Sequence, residues 1–160
     1  MAPPIMVTMK QTEPVTVAFV SMKGPYSQIS EAFGKLYGWI GRKDFVPSGP
    51  PLGIYHDSPG QVAEDQLTWE LCSPISGDVP PSTPGADALG VKRLEPVQVA
   101  ATTHRGPFSA VGGTYEALAA WVAENGYQVN GPAQEVYLSN PGDTPPKELV
   151  TEVRFPVTKA

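Results

Sequence analysis

The sequence predicts an α+β fold built from two β-α-β-β units related by a pseudo-two-fold axis, with mainly antiparallel pairing. Three observations predict it. The chain matches itself without a gap at an offset of 82 residues, from Val15–Ile75 onto Val97–Val157. In each copy a short β-branched run ends at Gly-Pro and is followed by one apolar stripe at helical spacing. Two further alternating runs then complete each copy.

Identical pairs at this offset include Val15/Val97, Gly24/Gly106, Pro25/Pro107, Ser27/Ser109, Leu36/Leu118 and Trp39/Trp121. Others are Gly49/Gly131, Tyr55/Tyr137, Pro59/Pro141, Glu70/Glu152 and Pro74/Pro156. Further pairs keep their physical type, as in Phe33/Tyr115, Ile54/Val136 and Leu71/Val153. A match this long reports a duplication. Residues 1–160 are read as one domain: repeat 1 (13–75), a Pro/Gly-rich linker (76–93) and repeat 2 (95–157). "SGDVPPSTPGADALG", residues 76 to 90, has the composition of a linker rather than of an element. Two copies are too few for a solenoid.

"VTVAFVSM" and "VQVAATTH" read as the first strands. After each Gly-Pro, Ser27 and Ser109 are expected N-caps, because a short hydroxyl accepts the free amides of a first helical turn. Ile29, Phe33, Leu36 and Ile40 form one helical stripe, and Val111, Tyr115, Leu118 and Val122 form its counterpart. Asn125-Gly126 supplies a left-handed stop. "PLGIYHD" and "AQEVYLS" alternate as strands, and "LTWELCSPI" and "LVTEVRFPV" give the last strand of each copy.

Composition narrows the function classes. Hydrophobic residues make up 41% and charged residues 17%, which fits a chain with a packed core. No apolar run approaches the roughly 18 residues a spanning helix needs, so no membrane role is expected. The net charge of −5 disfavours direct nucleic-acid binding, which needs a basic footprint. The N-terminus lacks a signal-peptide layout and Cys72 is the one cysteine, so a reduced, cytoplasmic protein is expected.

Repeats share a scaffold, and chemistry is best sought where they differ. Along a strand Glu135 and Tyr137 share one face, as do Gly53 and Tyr55 in the first copy. If helices cover the Val136/Leu138 and Leu52/Ile54 face, these four look into the space between the halves, with Trp69 at its wall or in the core. A mid-strand glycine such as Gly53 marks close approach by a ligand or another backbone. A lone acid among aromatics suits a cationic or electron-poor aromatic ligand. The plain alternative is that Glu135 lies on a solvated strand face.

Other devices are weaker. Trp39 and Trp121 read as packing residues, and the repeated Glu70 and Glu152 as structural hydrogen-bonding acids. His56 and His104 are not equivalent and have no ligand-spaced neighbour, so no metal site is expected. "HDSPGQVAED" lacks the spacing of a calcium loop and reads as solvated. Ser109 is explained as a cap rather than a nucleophile.

A strand with "HRGPF", a helix with "W", then "GPAQEVYLSNP" and "TEVRFPV" resemble the GyrI-like (gyrase-inhibitor-like) small-molecule-binding family. That family includes the effector-binding domains of AraC-type and MerR-type multidrug regulators, and the resemblance covers about 15 to 157. It implies helices on one side of the fold and a ligand groove on the other. It also implies that Glu135, with Tyr137 beside it, meets aromatic or cationic ligands; the strand-face reading adds Tyr55, Gly53 and Trp69 to the expected lining. Some members resemble hydrolases that open strained cyclopropane rings of DNA-alkylating natural products with a groove Glu and Tyr; the matching positions are again Glu135 and Tyr137. The length leaves no room for a helix-turn-helix, so a stand-alone sensor, sequestering protein or enzyme is expected, and a gyrase-inhibitor-like module with a protein partner is the third reading. No cofactor is expected: a haem-binding family shares this general fold, but no placed axial ligand appears.

Overall fold

The computed structural model describes residues 5–57, 62–85, 87–139 and 144–160, apart from the Phe108 side chain. In chain order the elements are β1 (Thr8–Gln11), β2 (Val15–Lys23), α1 (Ile29–Arg42), β3 (Leu52–Tyr55), β4 (Thr68–Pro74) and β5 (Leu89–Leu94). They continue as β6 (Gln98–Arg105), α2 (Val111–Glu124), β7 (Tyr127–Val129), β8 (Ala133–Tyr137) and β9 (Val150–Lys159). The fold is α+β, with nine strands among the described residues and antiparallel pairing in each register described here. The described residues contain no helix long and apolar enough to cross a membrane.

The chain divides into two compact units. The first is Glu13–Glu95; the second combines Met1–Thr12 with Pro96–Ala160. In the first unit the strand order is β5-β2-β4-β3, with α1 packed on β2 and β4. In the second it is β1-β6-β9-β8, with β7 also paired to β9 and α2 packed on β6, β7 and β9.

The division corrects the linker expectation. β5 begins at Leu89, inside residues 76–93, pairs with β2 and buries Leu89 and Val91. Its glycine reads as flexible in sequence, yet Gly90 is a close-approach position. A Cβ there would lie 2.6 Å from the Ser82 carbonyl oxygen, where the preceding segment bridges to Val91. β1 is the counterpart of β5 at the same offset, since Lys10/Lys92, Glu13/Glu95 and Pro14/Pro96 continue the identities toward the N-terminus. Each compact unit thus holds one β-α-β-β repeat plus the leading strand that the sequence attaches to the other repeat.

The helices form on their predicted stripes. Ala32, Leu36 and Ile40 are buried in α1, and Leu118 and Val122 in α2. Val111, Tyr115 and Trp121 pack half-buried around a cluster of Ala100, Leu118, Val122, Val153, Phe155 and Val157. Gly126, at φ +81°, ends α2 as expected.

The caps do not form as expected. Ser27 and Ser109 lie inside single 3₁₀ turns, Tyr26–Gln28 and Phe108–Ala110, that precede the helices. Gln28 and Ala110 stand at the N-cap positions without a side-chain bond. The amides of those two residues instead bond the Pro25 and Pro107 carbonyls, so the tight turn does the work assigned to the hydroxyls. Gly24 and Gly106, at φ +125° and +122°, enter these turns in a conformation that L side chains rarely adopt. The Pro59/Pro141 pair lies outside the described residues.

Candidate functional site

In the second unit β8 presents Glu135 opposite Val153 and Tyr137 opposite Thr151. Val153 is buried in the cluster that α2 covers, so Glu135 lies on the helix side of this sheet. The expectation that helices cover the Val136/Leu138 face, leaving Glu135 on the far one, is therefore corrected for this unit. Alternation could not decide it, because Val136 and Tyr137 are both buried and the strand carries apolar bulk on both faces.

Tyr115, from the second turn of α2, donates its hydroxyl to Glu135 Oε2, while the Tyr137 hydroxyl lies 3.5 Å from Oε1. The Tyr115 ring also meets Phe155 edge-on, with centroids 5.6 Å apart. Burial pushes the Glu135 carboxyl above the usual carboxylate range; the hydrogen bonds from Tyr115 and Tyr137 and the nearby His104 offset this only in part. Such a carboxylate is poorly solvated, and an incoming cation or a proton would relieve it.

His104 and Thr151 extend the polar row. His104 on β6 faces Thr151 on β9, which faces Tyr137 on β8. His104 Nε2 lies 3.0 Å from the Pro107 carbonyl oxygen, which can only accept, so the proton sits on Nε2. Nδ1 lies 2.8 Å from the Thr114 hydroxyl and in the neutral ring accepts from it. Thr151 is fully buried, and its hydroxyl has no hydrogen-bond partner among the described residues.

Gly53, Tyr55 and Trp69 come together in the first unit. The Gly53 position explains itself: a Cβ there would lie 2.6 Å from the Tyr55 hydroxyl and 2.7 Å from its ring, so the close approach comes from the strand's own next-but-one residue. Tyr55 stacks on Trp69, with Tyr26 edge-on to both. Trp69 is 1% exposed and donates its indole N–H to the Gly24 carbonyl at 3.0 Å, which makes it a core residue.

Across the repeat the two rows correspond position by position. Met22, Ala32, Phe33, Gly53 and Trp69 of the first unit match His104, Thr114, Tyr115, Glu135 and Thr151 of the second. Every one of these differences replaces an apolar residue or glycine by a polar one. The first unit is filled with an indole, and the second carries a carboxylate, an imidazole and hydroxyls at the same places. Of these, the sequence had singled out Glu135. Tyr115 was hidden inside an apolar stripe, but the pairing of Trp69 with Thr151 was a usable signal.

The repeated acids lie in separate ion clusters. Glu70 accepts from Lys92 and from His56 Nε2, the latter at 2.7 Å, and Glu152 accepts from Lys10 and Arg154. Burial raises both carboxyls, but their cationic partners outweigh it and hold them below the usual range. This is the structural role expected of them. Burial pushes the Cys72 thiol up to about 12, so it is an inert core residue. Among the described residues no three His, Cys, Asp or Glu side chains gather as a metal site. Within "HDSPGQVAED", residues 58–61 lie outside the described residues; Asp57 caps the exposed Thr68 amide and hydroxyl.

Antiparallel sheets with a helix on the face that carries a buried acid make this an α+β domain with a polar helix–sheet junction. The chain belongs to the GyrI-like small molecule binding domain family, which matches it over residues 6–158. No curated protein sequence matches it. Among solved structures it is similar to the EcmrR C-terminal domain, at 20% identity and TM-score 0.78 over 98% of this chain and 99% of that one. In the EcmrR–DNA complex it spans 97% of its own length but 58% of the EcmrR chain, at 17% identity and TM-score 0.83. It is also similar to a hydrolase from Listeria innocua, at 18% identity and TM-score 0.71 over 98% of this chain and 94% of that one. A third likeness is to SAV2435 bound to tetraphenylphosphonium, at 16% identity and TM-score 0.60 over 96% and 94% of the two chains.

Proposed function

We propose that this domain binds amphipathic aromatic cations at Glu135, with Tyr115 and Tyr137 as its immediate partners, and serves in drug or toxin sensing or sequestration. The observation that carries the reading is the Glu135 carboxylate, held beneath α2 and pushed up by burial while it accepts from the Tyr115 hydroxyl. An aromatic cation brings a full counter-charge to the carboxylate and can stack on phenol rings. The likeness to SAV2435, whose structure holds tetraphenylphosphonium, supports this ligand class. The test is calorimetric titration of the folded protein with tetraphenylphosphonium. Saturable one-to-one binding that raises the melting temperature supports the reading; absence of any heat or shift refutes it.

A second reading is hydrolysis at the same site, favoured by the raised carboxyl beside two phenols and by the likeness to the Listeria hydrolase. The Glu135 carboxylate takes a proton from water, the water oxygen bonds a cyclopropane carbon, the breaking C–C pair flows into a conjugated carbonyl, and the enolate so formed then takes the proton from Glu135. Tyr137 or Tyr115 donates a hydrogen bond to the oxygen that gains this charge. Turnover of a cyclopropane conjugated to a carbonyl, read as a product heavier by one water, separates this from binding alone.

A further inference from the structure

Thr151 stands at the centre of the polar row, between His104 and Tyr137, at the position that Trp69 fills in the first unit. In the first unit the indole both occupies the space and bonds the Gly24 carbonyl. A threonine at the matching place is smaller than an indole and makes no such bond. Its side chain is fully buried, and its hydroxyl is orphaned among the described residues. A buried hydroxyl without a partner destabilises the fold, and exceptions of this kind call for a ligand or water. The neighbours do not supply the bond: both His104 ring nitrogens are engaged, by Pro107 and by Thr114. Glu135 lies one diagonal step away on the same face, about 7–8 Å between Cα atoms for such a pair.

We infer that the Thr151 hydroxyl is a hydrogen-bond donor in the floor of the ligand site, taking a hydroxyl or carbonyl oxygen of a ligand whose cationic part lies at Glu135. The inference rests on the proposed function and narrows its ligand class to cations carrying an oxygen-bearing arm. It also explains why the tryptophan of the first unit is absent from the second: an indole there would occupy the position of the arm.

The experiment compares tetraphenylphosphonium with analogues bearing one hydroxymethyl group at the 3- or the 4-position of a phenyl ring. Each is titrated into the wild-type protein, Thr151→Val and Thr151→Ser. At least one hydroxymethyl isomer is expected to bind wild type about fivefold more tightly than the parent, the worth of one buried hydrogen bond. Thr151→Val, which keeps the shape, should erase that preference while leaving the parent cation within about twofold, and Thr151→Ser should retain it. Without ligand, Thr151→Val should melt no lower than wild type, because an orphaned hydroxyl has no bond to lose. If neither isomer gains, if the gain survives Thr151→Val, or if the unliganded variant melts lower, the inference is overturned and cation binding stands. If folded wild type binds no phosphonium, the proposed function falls and this inference falls with it.

Discussion

Tyr115 of α2 donates its hydroxyl to the Glu135 carboxylate of β8, so helix and sheet meet in the second unit through an acid rather than through apolar side chains alone. The same contact in the first unit would be Phe33 over Gly53, which has no polar atom to offer. A carboxylate at a helix–sheet junction opposes stability unless something compensates it, and here phenol hydrogen bonds do so incompletely. Cation binding and the pH response of the fold therefore depend on one group.

Glu135→Gln keeps the shape and the Tyr115 hydrogen bond but removes the charge. Tetraphenylphosphonium should then bind at least about tenfold more weakly, about 1.4 kcal/mol, the part of a ~4 kcal/mol charge-pair attraction that remains after the cost of desolvating both charges. Neutral triphenylphosphine oxide should change by less than about twofold, since its apolar contacts remain. Calorimetric titration of both ligands reads the difference, and equal losses would remove the charge role.

The same substitution makes a claim about the unliganded fold. The folded pKa of Glu135 is raised above its unfolded value, so the folded state holds this proton more tightly. Its contribution is fully present below the ordinary carboxylate range and is lost as pH rises through the folded pKa. Glu135→Gln avoids that loss. Urea unfolding across a pH series should show the variant matching wild type in acid and exceeding it at neutral pH. A variant less stable at neutral pH would contradict the burial cause.

The duplication made most of the scaffold legible, because each repeat checks the other: strand, Gly-Pro turn, stripe and paired strands were all readable twice. β5 was not, since Gly90 beside a Pro-rich run looks like a linker until the Ser82 carbonyl is seen against it. Glu135 was legible as the acid opposite a glycine in the repeat alignment. Its partner was not, because a tyrosine in a Val/Leu stripe has the spacing of a core residue whether or not its hydroxyl is used. The face of β8 that α2 covers was also undetermined, as both alternating sets on that strand are largely apolar. Trp69/Thr151 was visible as a mismatch, but its meaning needed the buried hydroxyl.

Lys92 and Lys10 occupy the same position in the leading strands β5 and β1, and each pairs with the repeated acid of its unit. Lys92→Met leaves Glu70 largely buried with His56 as its remaining ion-pair partner. Because the lysine is one-third exposed, the expected cost at neutral pH is about 1–2 kcal/mol rather than that of a dry ion pair. Lys92 and His56 hold the folded pKa of Glu70 below its unfolded value. The stability from this cluster is thus present above the ordinary carboxylate range and is lost as pH falls through the folded pKa. The gap between wild type and Lys92→Met should close over that acid range in urea unfolding, and a constant gap would assign the cost to the lost cation–π contact with Phe19 instead.

Gly53→Ala tests whether the glycine serves its own strand. The added methyl would sit 2.7 Å from the Tyr55 ring and 2.6 Å from its hydroxyl, so the ring must swing away and give up its stacking on Trp69. The expected cost is about 1–3 kcal/mol, typical of overpacking a filled site. Tyr55→Ala alone loses the stacking, but in its presence the methyl at position 53 meets no ring, so the second substitution should cost little. A double-mutant cycle in urea unfolding therefore predicts strong non-additivity between positions 53 and 55, with Trp69 fluorescence changing in each Tyr55-displacing variant. Additive costs would mean that Gly53 is required by something other than the tyrosine two residues along.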